Sequence, residues 1–224
     1  MRLRAEYNVG PELKFLGNLD MMHLMERALR RAGIPYHLSE GFNPHIRLSM
    51  GTVLPVGIWG KHEYFDLDLA EMALQEFIDR LNEVLPPALT ILDCQQIEEN
   101  APALMKIINT AEYTFVLRTG TTDLQSLTEE ILTRDALLVQ SRGKNKNIKK
   151  DLRPGLYQMN IDATEAYDML SVMVSINEPL NIRYDELQDL FSEYGISAKD
   201  ITDIFRQGNY IKEDQNFYSP LKKV

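Results

Sequence analysis

A chain of 224 residues, 44% apolar and 25% charged, has the composition of a globular protein and the length for one large domain or two small ones. Nothing in it approaches the roughly 18–20 apolar residues of a membrane span, and the opening MRLRAEYNV lacks a signal peptide's apolar core, so a cytoplasmic location and no membrane partner are expected. A net charge of −9 argues against nucleic-acid binding by the whole surface, and a single cysteine, Cys94, can neither form an internal disulfide nor supply the thiolates of an iron–sulfur cluster.

Residues 2–9 alternate polar and apolar side chains and end at Gly10-Pro11, which predicts a first strand and turn. A helix is expected from Asn18, with Leu19, Met22, Met25, Leu29 and Ala32 at helical spacing and Gly33 just past its end. Ile34–Leu38 reads as a short strand. Glycines and prolines then punctuate the chain to Leu69, leaving short strands at Arg47–Met50 and Glu63–Leu69. A second helix is predicted over Glu71–Val84, stopped by Pro86-Pro87, and Leu89–Ile97 returns as a strand.

Strand–helix–strand–strand–helix–strand is the split βαβ pattern of a ferredoxin-like fold. After a linker at Glu98–Pro102 it begins again, since Ala111-Glu112-Tyr113 repeats Ala5-Glu6-Tyr7 at the start of a strand-like run. A helix at Asp123–Leu132, strands at Leu137–Ser141 and Gly155–Ile161, an ambiguous stretch at Asp162–Ser175 and a helix at Tyr184–Tyr194 follow. The expected fold is α+β, with two ferredoxin-like units in tandem at 1–99 and 103–206. Residues 207–224 read as a loosely packed tail.

Two polar regions carry the candidate chemistry. In the loop after the first helix, Ser39, Gly41, Phe42, Asn43, His45 and Arg47 offer a backbone that a ligand can approach and a guanidinium for phosphate or carboxylate. The plain alternative is an ordered loop whose polar groups satisfy its own backbone. Arg27 and Arg31, on the exposed side of the first helix, are further binding candidates. All four histidines fall within the first 62 residues, but without metal-ligand spacing, so no metal is assigned; His45 and His37 are the alternatives for a general acid or base.

The second region is basic. Between Arg134 and Arg153 seven cations face two carboxylates, a local net of +5 that leaves −14 on the rest of the chain. Arg142, Lys144, Lys146, Lys149, Lys150 and Arg153 are the nucleic-acid candidates, against a solvated turn between strands. Tyr113 and Phe115 share a strand face, the arrangement from which bases could be stacked, although the aromatic motif of RNA-recognition domains is missing.

The stretch SEGFNPHIRLSMGTVLPVG, with LGNLDMMHLMERALRRAGIPYHLS before it and KHEYFDLDL after it, resembles the radical-SAM-linked protein family. The resemblance spans residues 2–69 and is looser beyond Glu98, chiefly in the basic loop before DLRPGLYQM. Gly17-Asn18 stands where a Ser-His pair is expected before Leu19-Asp20. Members occur fused to, or encoded beside, a radical-SAM protein, near genes for an RNase E/G-type ribonuclease and ribosomal proteins. The resemblance therefore implies a non-catalytic accessory to a radical-SAM partner, working on RNA or the translation machinery. It implies no cofactor on this chain, S-adenosylmethionine and the iron–sulfur cluster belonging to the partner. The competing expectations are an RNA-processing or RNA-modifying enzyme, similar in architecture to CRISPR RNA-processing endonucleases, and a small-molecule or peptide-binding module.

Overall fold

A computed structural model describes residues 1–120, 123–143, 148–164 and 166–222. The chain forms two compact units, the first holding Met1–Ile108 and Gly208–Val224 and the second Asn109–Gln207. Each is a mainly antiparallel ferredoxin-like sheet.

In the first unit, strands β1 (Arg2–Val9) and β3 (Trp59–Asp68) pair antiparallel, with Ala5 opposite Phe65. Strand β4 (Leu89–Ile97) lies on the other side of β1, and the short β2 (Leu48–Met50) pairs the far end of β3. Helices α1 (Asn18–Arg31) and α2 (Leu74–Val84) cover one face. The alternation of β1 decides which face: Leu3, Ala5, Tyr7 and Val9 point into a core with Met25, Leu29, Phe65, Leu67, Phe77 and Leu81. The two helices cap each other. Arg31 Nη2 donates to Val84 O at 2.6 Å, and Arg80 donates to the carbonyls of Ala32 and Gly33, satisfying groups that a helix end leaves open.

The second unit repeats the plan. Strand β5 (Thr110–Arg118) pairs β9 (Tyr167–Ser175), which pairs β8 (Leu156–Ala163), while β10 (Ile201–Glu213) flanks β5 on its other side. Helices α4 (Leu124–Thr133) and α5 (Tyr184–Glu193) fill the helical positions, and a small hairpin of β6 (Leu138–Gln140) and β7 (Lys149–Asp151) is inserted after α4. Ala5-Glu6-Tyr7 and Ala111-Glu112-Tyr113 occupy the same place in the two units, the first strand. Tyr7 and Tyr113 are equally buried, 4% exposed each.

Three sequence expectations change. Ile34–Leu38 makes only isolated bridges, Tyr36 to Leu69 and Leu38 to Ile46. Asp162–Ser175, ambiguous by pattern, supplies the end of β8 and then β9. The largest change is at the end of the chain, where the expected tail is strand. β10 runs to Glu213, a short β11 (Asn216–Tyr218) pairs its end, and Asn209, Ile211 and Leu221 are buried. Asn209 stays buried because its amide is satisfied, accepting from Thr52 Oγ1 at 2.8 Å and donating to Glu63 Oε2 at 3.1 Å. A short helix α3 (Leu104–Ile107) also stands just after the expected linker.

Candidate docking and binding surfaces

The glycine-rich segment does not fold into one pocket. Its first half, beyond the Asp68 end of β3, is a turn closed on itself. Ser39 N donates to His45 O at 2.8 Å, His45 N donates to Ser39 Oγ, and Ser39 Oγ lies 2.8 Å from His45 Nδ1. Arg47 is also spoken for, ion-paired with Asp68 at 2.7 Å, its side chain half exposed. In the structure Arg47 pairs with Asp68, and the polar groups of Ser39 and His45 satisfy the turn itself.

What it presents is apolar. Gly41 takes φ +119°, a conformation closed to ordinary side chains, and the chain then swings Phe42 out at 107% relative exposure, ahead of exposed Asn43 and Pro44. The second half of the segment lies beside the start of β3, separated from the turn by β2. There Gly57 N donates to Lys14 O at 2.7 Å, and Phe15, Leu19, Val53 and Val56 are exposed by half or more. Leu19 was expected on the apolar stripe of the first helix and instead stands exposed in its first turn. Phe15, Val53 and Val56 were not singled out from sequence; their signal was apolar residues at loop positions, where no core periodicity requires them.

The histidines do not converge on a catalytic group. His45 bonds within its own turn, His37 is exposed and uses its backbone to bridge Asp68 and Arg47, and His62 Nδ1 pairs with Glu6 on the neighbouring strand. Among the described residues no group of three or more His, Cys, Asp or Glu side chains could hold a metal. Cys94 is 4% exposed, and burial pushes its thiol up to about 11.

The first unit's sheet face opposite its helices is sealed by the chain itself. Arg4, 1% exposed, makes a two-pronged bond to Asp66 at 2.8 and 3.1 Å and donates to the carbonyls of Pro102 and Pro220. Arg2 joins Asp66 at 2.7 Å, and Tyr64 OH meets Ser219, its phenol held above the ordinary value by burial. This face cannot stack bases in the manner of RNA-recognition sheets. Nor can the aromatic pair of the second unit: Tyr113 and Phe115 share a face, but the buried one, with Phe115 edge-on to Phe191 at 5.0 Å.

The basic region of the second unit is largely neutralised by acids downstream. Lys150 pairs with Glu186 at 2.7 Å and also donates to Asn181 O. Glu186 is fully buried at the start of α5 and further accepts from the backbone N–H groups of Arg142 and Arg183 at 3.0 Å each. Arg142 forks onto Asp189 with two 2.7 Å bonds, which hold its guanidinium yet more firmly protonated, and Arg153 caps the carbonyls of Leu132 and Leu156. Of the six nucleic-acid candidates, these three are committed to the fold. Lys149 lines an open cleft of about 710 Å³ with Arg134, Leu138, Leu190 and Tyr194. Lys144 and Lys146 lie outside the described residues.

Arg27 and Arg31 remain where the sequence put them, on the exposed side of α1, and both line a cleft of about 360 Å³ beside the end of α2.

The family model described as "Uncharacterized protein conserved in bacteria (DUF2344)" matches residues 2–183. No curated protein matches. Among solved structures, the chain is similar to one in the "Crystal Structure of a Cbf5-Nop10-Gar1 Complex" at TM-score 0.51 and 10% identity, covering 96% of this chain and 50% of that one. The chain thus spans about half the length of that relative, and the likeness is one of fold. A second structure, "an Unknown Protein from Galdieria sulphuraria", aligns at TM-score 0.26 and 13% identity over 92% of this chain and 96% of that one.

Proposed function

We propose that this chain, which belongs to the bacterial family of uncharacterized proteins DUF2344, is a non-catalytic accessory protein that docks onto a radical-SAM enzyme and presents it with a substrate, RNA or a component of the translation machinery. The partner comes from the resemblance of residues 2–69 to radical-SAM-linked proteins; the manner of docking comes from geometry.

The observation that carries the reading is Phe42. A wholly exposed aromatic on a turn braced at its base by the Ser39–His45 bonds is a rigid anchor, the kind of residue around which interface energy concentrates. Because the turn is already ordered, little conformational entropy opposes docking. The polar residues of the segment, read from sequence as ligand contacts, act as the brace. A catalytic role for His45 has less support, since its ring is engaged within the turn and no third group orients it toward a substrate.

The test is co-expression with a radical-SAM protein of the kind the resemblance implies, followed by size-exclusion chromatography. Co-elution of wild type, lost in Phe42→Ala and in Gly41→Val, supports the proposal. Separate elution of the two wild-type proteins sinks it.

A further inference from the structure

We infer that the cleft between α1 and the end of α2 is a binding site for a phosphomonoester carried on a planar or apolar body of about nucleotide size. His23, Arg27 and Arg31 stand at i, i+4 and i+8 on the exposed side of α1, so they form one line along the helix. Cations nearby are matched by acids: Arg30 by Glu26 at 3.8 Å and Arg80 by Glu76 at 3.2 Å. Among the described residues no carboxylate lies within ion-pair reach of Arg27 or Arg31. Two like charges one helical turn apart repel, and among the described residues no carboxylate offsets them.

The two guanidinium groups also differ usefully. Arg31 is held in place by its single bond to Val84 O, which uses one of five N–H donors and leaves the rest turned to the cleft and solvent. Among the described residues the Arg27 side chain has no hydrogen-bond or ion-pair partner, and it is free to close on a ligand. A doubly charged phosphate matches two guanidinium groups better than a single carboxylate does. The remaining walls are Leu24, Val84, Leu85 and Pro86, apolar and rigid at the proline, suited to a ring or an aliphatic body but not to a bare ion. A volume of about 360 Å³ falls within the roughly 300–1,000 Å³ of small-molecule sites.

This inference is independent of docking through Phe42. It is tested by a 1H–15N NMR titration of the full chain with AMP, adenosine and inorganic phosphate in parallel. AMP should shift the amides of Leu24, Arg27, Arg31 and Val84 saturably, with Kd on the order of 0.1–1 mM. Phosphate should bind at least tenfold more weakly, and adenosine should give no saturable shift. Arg27→Ala removes no bond of the fold and should weaken AMP at least tenfold without moving the melting temperature, while Phe42→Ala should leave AMP affinity unchanged. Equal affinities for AMP and phosphate would overturn the inference, as would Arg27→Ala binding AMP like wild type.

Discussion

Lys150 was read from sequence as a phosphate contact, and the structure makes it the counter-ion of a buried carboxylate. Replacing Lys150 by Ala should therefore damage the fold before it affects any ligand. The side chain of Glu186 is 0% exposed and that of Lys150 21%, so the pair is of the buried kind. Removing one partner of such a pair costs about 3–5 kcal/mol, because the other charge is left uncompensated. Two backbone N–H bonds to Glu186 survive the change, and charge-assisted bonds of this kind are each worth roughly 1.5–3 kcal/mol. The lower end, about 3 kcal/mol, is therefore expected. For a chain of this size that lowers the melting temperature by about 6–12 °C. Urea denaturation followed by circular dichroism measures it. Arg142→Ala is the comparator: its pair with Asp189 is 52% and 31% exposed, and such surface pairs are worth about 0–1 kcal/mol. Adding Glu186→Gln to Lys150→Met should recover part of the loss by removing the buried charge, but only part, since the N–H groups of Arg142 and Arg183 bond different carboxylate oxygens and the one amide oxygen keeps only one of them. If Lys150→Ala is as stable as Arg142→Ala, Lys150 is a surface cation and the reasoning fails.

Three further outcomes follow from the same geometry. Gly33 sits at φ +61° with Arg80 Nη2 only 2.7 Å from where a Cβ would stand, so Gly33→Ala should cost about 1–2 kcal/mol in urea melts by straining the turn and dislodging the Arg80 cap. Cys94, buried with its thiol pushed up to about 11, stays protonated at pH 8 and should resist 5,5′-dithiobis(2-nitrobenzoate) in the native protein while reacting at once in 6 M urea. If the chain binds single-stranded RNA through the basic region, Lys144, Lys146 and Lys149 are the cations left for phosphates. The slope of log K against log salt should then be about −2; a slope near −4 would return Arg142, Lys150 and Arg153 to the interface.

The fold was legible wherever burial follows local periodicity. β1 alternates, α1 has its terminal glycine and buries Met25, Leu29 and Ala32 of the expected stripe though Leu19 is exposed and Met21 and Ala28 take its inner face, and the Ala-Glu-Tyr repeat marks the first strand of each unit. β10 was not legible, because its buried positions include Arg206 and Asn209, and the groups that satisfy Asn209 lie about 150 residues earlier. Arg4 misleads in the same way: alternation assigns it to the polar face of β1, and only the distant Pro102 and Pro220 carbonyls show that this face is covered. The basic loop suffered from the same long range, its acids Glu186 and Asp189 standing 36 and 47 residues downstream of Lys150 and Arg142. At the 39–57 segment, composition pooled two loops that β2 holds apart.

Phe42 is where docking can be measured most directly. Isothermal titration of the proposed radical-SAM partner with wild type, Phe42→Ala and Phe15→Ala sets the exposed turn against an exposed apolar residue elsewhere on the same unit. Truncating a central aromatic anchor costs about 2 kcal/mol or more, so Phe42→Ala should weaken binding about thirtyfold while Phe15→Ala changes it less than threefold. Equal affinities for wild type and Phe42→Ala would contradict the account.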